Sequence, residues 1–184
     1  MRWPSWDSRL RQPGPWHTRF DHPDGSKEVT WGRRSARDGL GEHRLADLIY
    51  GGHELVTAHR DATIVVTEGE RAADAVRDAG YLAAGTVCGA SSTPGEAVLS
   101  LFRDRHVVLW PDADAIGMAH MGRLAGDLEG FGVRSLRYVD WPDAPEHGDA
   151  ADTDAETIGR LIAGARFLPL VGPPLCARCG EAVA

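Results

Sequence analysis

From Asp61 onward, short apolar runs alternate with segments whose apolar residues recur three or four positions apart. The runs TIVVT (63–67), GTVCG (85–89), HVVLW (106–110) and SLRYVDW (135–141) read as strands. TIVVT is apolar and β-branched, as suits a strand buried in a parallel sheet. Residues 70–79 form a helix with Ala72, Ala73, Val76 and Ala79 on one face. Pro94 opens a second helix that runs to about Arg103. A third spans about Ile116–Glu129 and ends before Gly130; a fourth runs from Asp154 to Gly164, with Thr153 as its N-cap. Strands and helices in strict alternation predict an α/β fold with a four-stranded parallel sheet flanked by helices. In such sheets the functional residues gather at the carboxyl ends of the strands.

The N-terminal part has another rhythm. WHTRFDHPDGSKEVTWGRR alternates polar and apolar residues around Pro-Asp-Gly, which predicts an antiparallel hairpin pairing Trp16–Phe20 with Glu28–Gly32. GLGEHRLADLIYGGHEL then reads as a loop with one or two helical turns, and the tail FLPLVGPPLCARCGEAVA as extended and loosely attached. The expected organisation is a hairpin-containing segment over 1–58, an α/β domain over 59–166 and a tail over 167–184. There is no internal repeat.

Composition sets limits. The 184 residues, 42% hydrophobic, suffice for one ordinary domain with a real core plus appendages. No apolar run approaches the roughly 20 residues of a membrane helix. The start, MRWPSWDSRL, carries no secretory pattern, so a cytoplasmic location is expected. Three cysteines are too few for a disulfide framework. The net charge of -7 disfavours a nucleic-acid partner until its distribution is counted. Residues 1–58 hold nine Lys/Arg against eight Asp/Glu, and residues 59–166 hold ten against eighteen. The acid is concentrated in the α/β part, where a divalent cation could reconcile it with phosphates.

The acids also occupy particular places. The first predicted strand runs into Glu68-Gly69-Glu70, the third into Pro111-Asp112-Ala113-Asp114, and the fourth is followed by His147-Gly148-Asp149-Ala150-Ala151-Asp152. With parallel strands, all three clusters lie at one edge of the sheet. Carboxylates so close do not all stay ionised without a compensating cation, and a hard divalent ion with oxygen ligands answers that need. Gly69 is expected to permit a sharp turn, and Gly117 to bring helix N–H groups close enough for a phosphate. Each element alone has a plain reading: Asp-x-Asp as a turn, Glu-Gly as a turn, Gly-Asp-x-x-Asp as a capped helix start. Their combination and order point to a metal site.

TIVVTEGE followed by VVLWPDADAIG resembles the TOPRIM signature, a glutamate after the first strand and Asp-x-Asp after the third. HGDAAD resembles the third acidic loop of primase TOPRIM domains, and the hairpin with GLGEHRLADLIYGGHEL is similar to the preamble of primase-like replication proteins of phages and plasmids. The resemblance covers about residues 16–166. It implies Glu68 as the general acid or base, Asp112 and Asp114 as Mg²⁺ (or Mn²⁺) ligands, and Asp149 and Asp152 as holders of a second ion. It also implies primase-type nucleotidyl transfer in DNA replication, with single-stranded DNA and nucleoside triphosphates as substrates, a separate replicative helicase as a candidate partner, and no membrane. Two positions depart from the pattern. Ala72 stands where bacterial replicative primases carry Asp, with Glu70 available to compensate, and His147 stands where Lys is frequent. No P-loop and no complete N-terminal zinc ribbon are present.

Other features keep two readings. Arg19, Arg33 and Arg34 with Trp16 and Trp31 suit single-stranded nucleic acid, or the Trp residues cement the hairpin and the Arg are solvated. Ser91-Ser92-Thr93 caps a helix or meets a phosphate. Cys176-x-x-Cys179 is half a zinc site without two further ligands, so structural zinc is not expected; Cys88 fills core. A TOPRIM metal-dependent nuclease and a non-catalytic nucleic-acid-binding module are the alternatives to a primase.

Overall fold

The computed structural model describes residues 1–32, 39–87 and 93–169. In chain order its elements are β1 (Arg2–Asp7), β2 (Gln12–Asp21), β3 (Lys27–Gly32), a 3-10 turn, β4 (Leu48–Tyr50), α1 (Gly52–Thr57), β5 (Thr63–Thr67), α2 (Glu70–Asp78) and β6 (Leu82–Thr86). There follow α3 (Glu96–Leu99), which runs into a 3-10 turn, β7 (His106–Trp110), α4 (Ala115–Gly130), β8 (Ser135–Tyr138), a 3-10 turn at Ala150–Asp152, α5 (Ala155–Ala163) and β9 (Arg166–Phe167).

The expected α/β architecture is present, and the sheet extends well beyond its parallel part. Among the described residues nine strands form one sheet in the order β3-β2-β1-β4-β6-β5-β7-β8-β9. The four predicted strands are its parallel centre, β6-β5-β7-β8. The predicted hairpin is found in the predicted register, with Trp16 opposite Gly32 and Phe20 opposite Glu28. It continues the same sheet through β1 and β4, which pairs antiparallel with β6.

Period-two alternation divides the core. Val65 and Val108 face one way and pack with Ala72 and Val76 of α2 and Ile158 and Leu161 of α5. Ile64, Val66, Val107 and Leu109 face the other way, against Phe102 and against Met121, Leu124 and Leu128 of α4. The α2 stripe is as the spacing predicts.

Several boundaries differ for physical reasons. β6 begins at Leu82, three residues before the expected GTVCG run, because the sheet here needs small residues rather than β-branched ones. A Cβ on Gly85 would lie 2.7 Å from the Gly69 carbonyl oxygen. Cys88 and Gly89 lie outside the described residues, as do Ser91 and Ser92 and the Cys176/Cys179 pair. The helix after Pro94 shortens to four residues plus a 3-10 turn. Asp154, not Thr153, caps α5, since its carboxylate accepts the Thr157 N–H at 2.8 Å. β1, β4 and β9 were not expected: β4 and β9 are two or three residues long, and β1 holds Pro4 and two Trp. Among the described residues no helix is long and apolar enough to cross a membrane.

Candidate active-site cleft

The pairing Thr67↔Trp110 ends β5 and β7 side by side, so Glu68 and Asp112 leave the sheet together. The Asp112 N–H donates to Glu68 Oε1 at 3.1 Å. The first turn of α4 packs onto the same atoms: a Cβ on Gly117 would lie 2.4 Å from Glu68 Oε1 and 2.7 Å from the Asp112 carbonyl oxygen. Gly117 is therefore required by close approach. Its own N–H is taken by the Asp114 carboxylate, which accepts it at 2.7 Å and caps α4. Gly69 likewise has another role than expected. Its backbone is extended and a Cβ there would meet nothing within 4 Å, so the tight approach is made by Gly85 across from it.

Two hydroxyls hold the turn that presents Glu68. Thr67 Oγ1 donates to the Gly69 carbonyl at 2.8 Å, and Thr86 Oγ1 donates to the Glu68 carbonyl at 3.2 Å. The loops after β7 and β8 are stitched by Ala113 N–H to the Gly148 carbonyl, 2.8 Å, and His147 N–H to the Ala113 carbonyl, 3.3 Å. His147 sits at φ 58°, a left-handed conformation uncommon outside glycine, and its Nδ1 lies 2.7 Å from Asp114 Oδ2.

The electrostatics separate the two carboxylates of Asp-x-Asp. Burial, followed by repulsion from Glu68, Asp149, Asp114 and Asp152, pushes Asp112 up to about 7. Burial also raises Glu68; the Asp112 N–H opposes this, Asp114 adds to it and Arg123 opposes it. Asp114 is lowered by the Gly117 N–H and by His147, and hydrogen bonding to Asp114 raises His147 in turn. The site thus holds one carboxyl poised near neutral pH, Asp112, a second raised above its ordinary range, Glu68, and a third that is lowered, Asp114, a pattern that suits proton transfer and cation binding.

The other expected ligands are near but engaged. Asp149 and Asp152 form a capping box around the 3-10 turn, and Arg71 of α2 pairs with Asp152 at 2.6 Å and Asp149 at 3.7 Å. Glu70 is buried and bonds His17 Nδ1 from β2. Among the described residues no three His, Cys, Asp or Glu side chains form a ready-made metal cage. Mg²⁺ does not need one: it keeps several waters and takes one or two carboxylates plus substrate phosphates. Asp112, raised by burial and by the charges of four neighbouring acids, is the group a cation would relieve. Asp112, with Asp114, Asp149 and Asp152 around it, therefore fits a hydrated divalent ion.

A cleft of about 650 Å³ opens over these acids. One wall carries Glu68, Asp112, Asp149 and Asp152, and the other carries Arg19 and Lys27 from the hairpin. Arg19 also pairs with Asp21 at 2.8 Å. Trp31 stacks on His17 with ring centres 4.5 Å apart, while Trp16 stays partly exposed with the Arg2 guanidinium 4.6 Å above its ring. Arg33 and Arg34 lie outside the described residues. Sequence reasoning missed His17, Lys27 and Arg71. His17 shares the cleft face of β2 with Arg19, two positions on, and nothing local marks either His17 or Arg71 as the partner of acids 53 to 81 positions away.

No family model matches the chain, and no curated protein sequence matches it. Solved primase structures do match it in fold. The E. coli primase catalytic core matches with a TM-score of 0.65 at 19% identity, over 91% of this chain and 52% of that one. The Aquifex aeolicus primase, with its zinc-binding and RNA polymerase domains, matches with 0.63 at 18%, over 90% and 40%. A DnaG primase catalytic domain bound to single-stranded DNA matches with 0.65 at 16%, over 90% and 53%. The chain spans about half the length, or less, of these primase structures, and it is similar in fold to DNA primase catalytic cores.

Proposed function

We propose that this chain carries a TOPRIM-type, Mg²⁺-dependent nucleotidyl-transfer centre of the primase kind, serving DNA replication in a phage or plasmid system. The observation that carries the reading is the Glu68–Asp112 pair: two carboxyls at adjacent parallel strand ends, both raised by burial, lining a cleft that basic residues also line. The fold likeness to primase catalytic cores, one of them bound to single-stranded DNA, supports it. In this reading residues 59–166 supply the chemistry, and residues 1–58 guide the nucleic acid through Arg19, Lys27 and Trp31, while Trp16 lies on the opposite face of β2.

Asp112 and Asp114, with Asp149 and Asp152 behind them, would hold Mg²⁺ or Mn²⁺, which when bound neutralises triphosphate charge and polarises the α-phosphorus. Glu68 accepts the proton of the 3′-hydroxyl at its carboxylate as that oxygen bonds the α-phosphorus and pyrophosphate leaves, a role its raised affinity for protons suits. Gly117 keeps that carboxylate and the Asp112 backbone within reach of each other. Arg19 and Lys27 orient a phosphate backbone or the outer phosphates across the cleft. Single-stranded DNA and nucleoside triphosphates are the substrates, and a separate replicative helicase is the protein partner.

One gel tests this. The protein is incubated with labelled nucleoside triphosphates, single-stranded DNA and Mg²⁺ or Mn²⁺. Labelled oligonucleotides that depend on template and metal are expected. Shortening of the DNA without incorporation would replace the primase reading with a nuclease, and neither product would leave a non-catalytic nucleic-acid-binding module.

A further inference from the structure

α4 buries a stripe of Gly117, His120, Met121, Leu124 and Leu128. His120 is the polar exception in it, and its side chain is fully buried. A histidine in such a place needs a reason, since a leucine would fill similar space without a polar atom to satisfy. Its Nε2 lies 3.3 Å from Thr86 Oγ1, and Thr86 is itself 2% exposed. The Thr86 hydroxyl has a single proton, and the Glu68 carbonyl oxygen 3.2 Å away can only accept it. With that proton on the Glu68 carbonyl, Thr86 accepts from the imidazole and His120 carries its proton on Nε2; the opposite polarity, Thr86 donating to Nε2, requires the other tautomer.

We propose that His120 is a positioning residue for Glu68, acting through Thr86. The chain is Nε2–H of His120 to Thr86 Oγ1, and Thr86 O–H to the Glu68 carbonyl, and it joins the core of α4 to the turn that presents the catalytic carboxylate. Without the donor on His120, the Thr86 hydroxyl is less well oriented toward the Glu68 carbonyl, and of the two hydroxyl anchors of the β5–α2 turn only Thr67, on the next carbonyl, is unaffected. The effect falls on the aim of Glu68 rather than on substrate or metal affinity. This inference rests on the role proposed for Glu68, but its geometric half is open to a measurement that needs no activity.

Imidazole ¹⁵N chemical shifts of histidine-labelled protein should show His120 as the neutral Nε2–H tautomer in the wild type. In Thr86→Val, which keeps the shape and removes the hydroxyl, the same ring should move toward a mixture of tautomers. An Nδ1–H tautomer in the wild type, or an unchanged ring in Thr86→Val, overturns the inference. In the template-dependent assay, His120→Leu and Thr86→Val should each lower kcat about tenfold, the scale of lost outer-layer hydrogen bonds, with KM within twofold of wild type. His120→Gln, which replaces the Nε2 donor with an amide N–H, should regain most of the rate. A buried histidine with a merely structural role would give a leucine variant of full kcat, and that result also overturns the inference. If His120→Leu does not fold, Thr86→Val decides on the same kcat criterion. If the wild type incorporates no nucleotide, the proposed function fails and the tautomer measurement alone decides whether this chain of hydrogen bonds exists.

Discussion

Asp112 concentrates the chemistry of the site in one titration. Its carboxyl is raised from the ordinary 3.8 to about 7, chiefly by burial and then by neighbouring acids. The sign of the consequence follows from linkage. A carboxyl that binds its proton more tightly in the folded state stabilises the fold below its unfolded pKa, and that contribution is lost as pH rises from about 4 through about 7. Metal-free protein should therefore gain thermal stability when Asp112 becomes Asn, and gain more at pH 8 than at pH 5. Each kcal/mol corresponds to roughly 2–4 °C in Tm for a chain of this size. Calorimetric melts of both proteins at both pH values check this; an equal gain at the two pH values contradicts it. Glu68 gives the complementary test. Glu68→Gln should melt no lower than the wild type and retain most metal binding, yet lose about 10²–10⁴-fold in turnover. Turnover within a few-fold of wild type would remove Glu68 from the mechanism.

At the scale of elements, α2 joins the parts. Its Glu70 meets His17 of β2, its Arg71 meets the Asp149/Asp152 loop, and its Asp74 accepts from Trp3 Nε1 at 2.8 Å and from the Tyr50 hydroxyl. Burial and the bond to Asp74 push the Tyr50 phenol up to about 12. Asp74→Ala leaves a buried indole N–H and a hydroxyl without their acceptor, and should cost about 1–3 kcal/mol in chemical denaturation, whereas Asp74→Asn keeps one acceptor and should cost less. Equal losses would mean that the hydrogen bonds do not carry the attachment. The hairpin makes the second prediction at this scale. Arg19→Ala and Lys27→Ala should each flatten the salt dependence of single-stranded DNA binding by about one unit per lost phosphate contact. Unchanged slopes in both would place the nucleic acid elsewhere.

The same elements show what a sequence reader can and cannot see. β5, β7 and the hairpin were legible because β-branched runs and a Pro-Asp-Gly turn are local signals. Glu68, Asp112 and Asp114 were legible as candidates because they follow those runs directly. β6 was placed three residues late because its sequence, LAAGT, answers to close packing against the turn at Gly69, which no local pattern announces. β4 and β9 are too short to have a period, and β1 buries Trp3, Ser5 and Asp7 in alternation, a mostly polar set that apolar patterning does not announce. His17 and Arg71 were missed because their meaning lies in acids 53 to 81 positions away.

For the whole molecule, one sheet carries both walls of the cleft: acids at the ends of the parallel strands, and basic and aromatic groups on the antiparallel wing beside them. Such an arrangement lets an acidic chain meet phosphates, provided a divalent cation stands between the two. The most direct test is a calorimetric titration of wild type and the Asp112→Asn/Asp114→Asn double variant with Mg²⁺ and with Mn²⁺, at pH 6 and pH 8 in buffers of different ionisation enthalpy. Because Asp112 must lose its proton to bind, the wild type should bind more tightly at pH 8 and release a proton on binding at pH 6, and the double variant should bind far more weakly at both. Equal binding by the two proteins, or wild-type affinity indifferent to pH with no proton released, would contradict a metal centre built on Asp112.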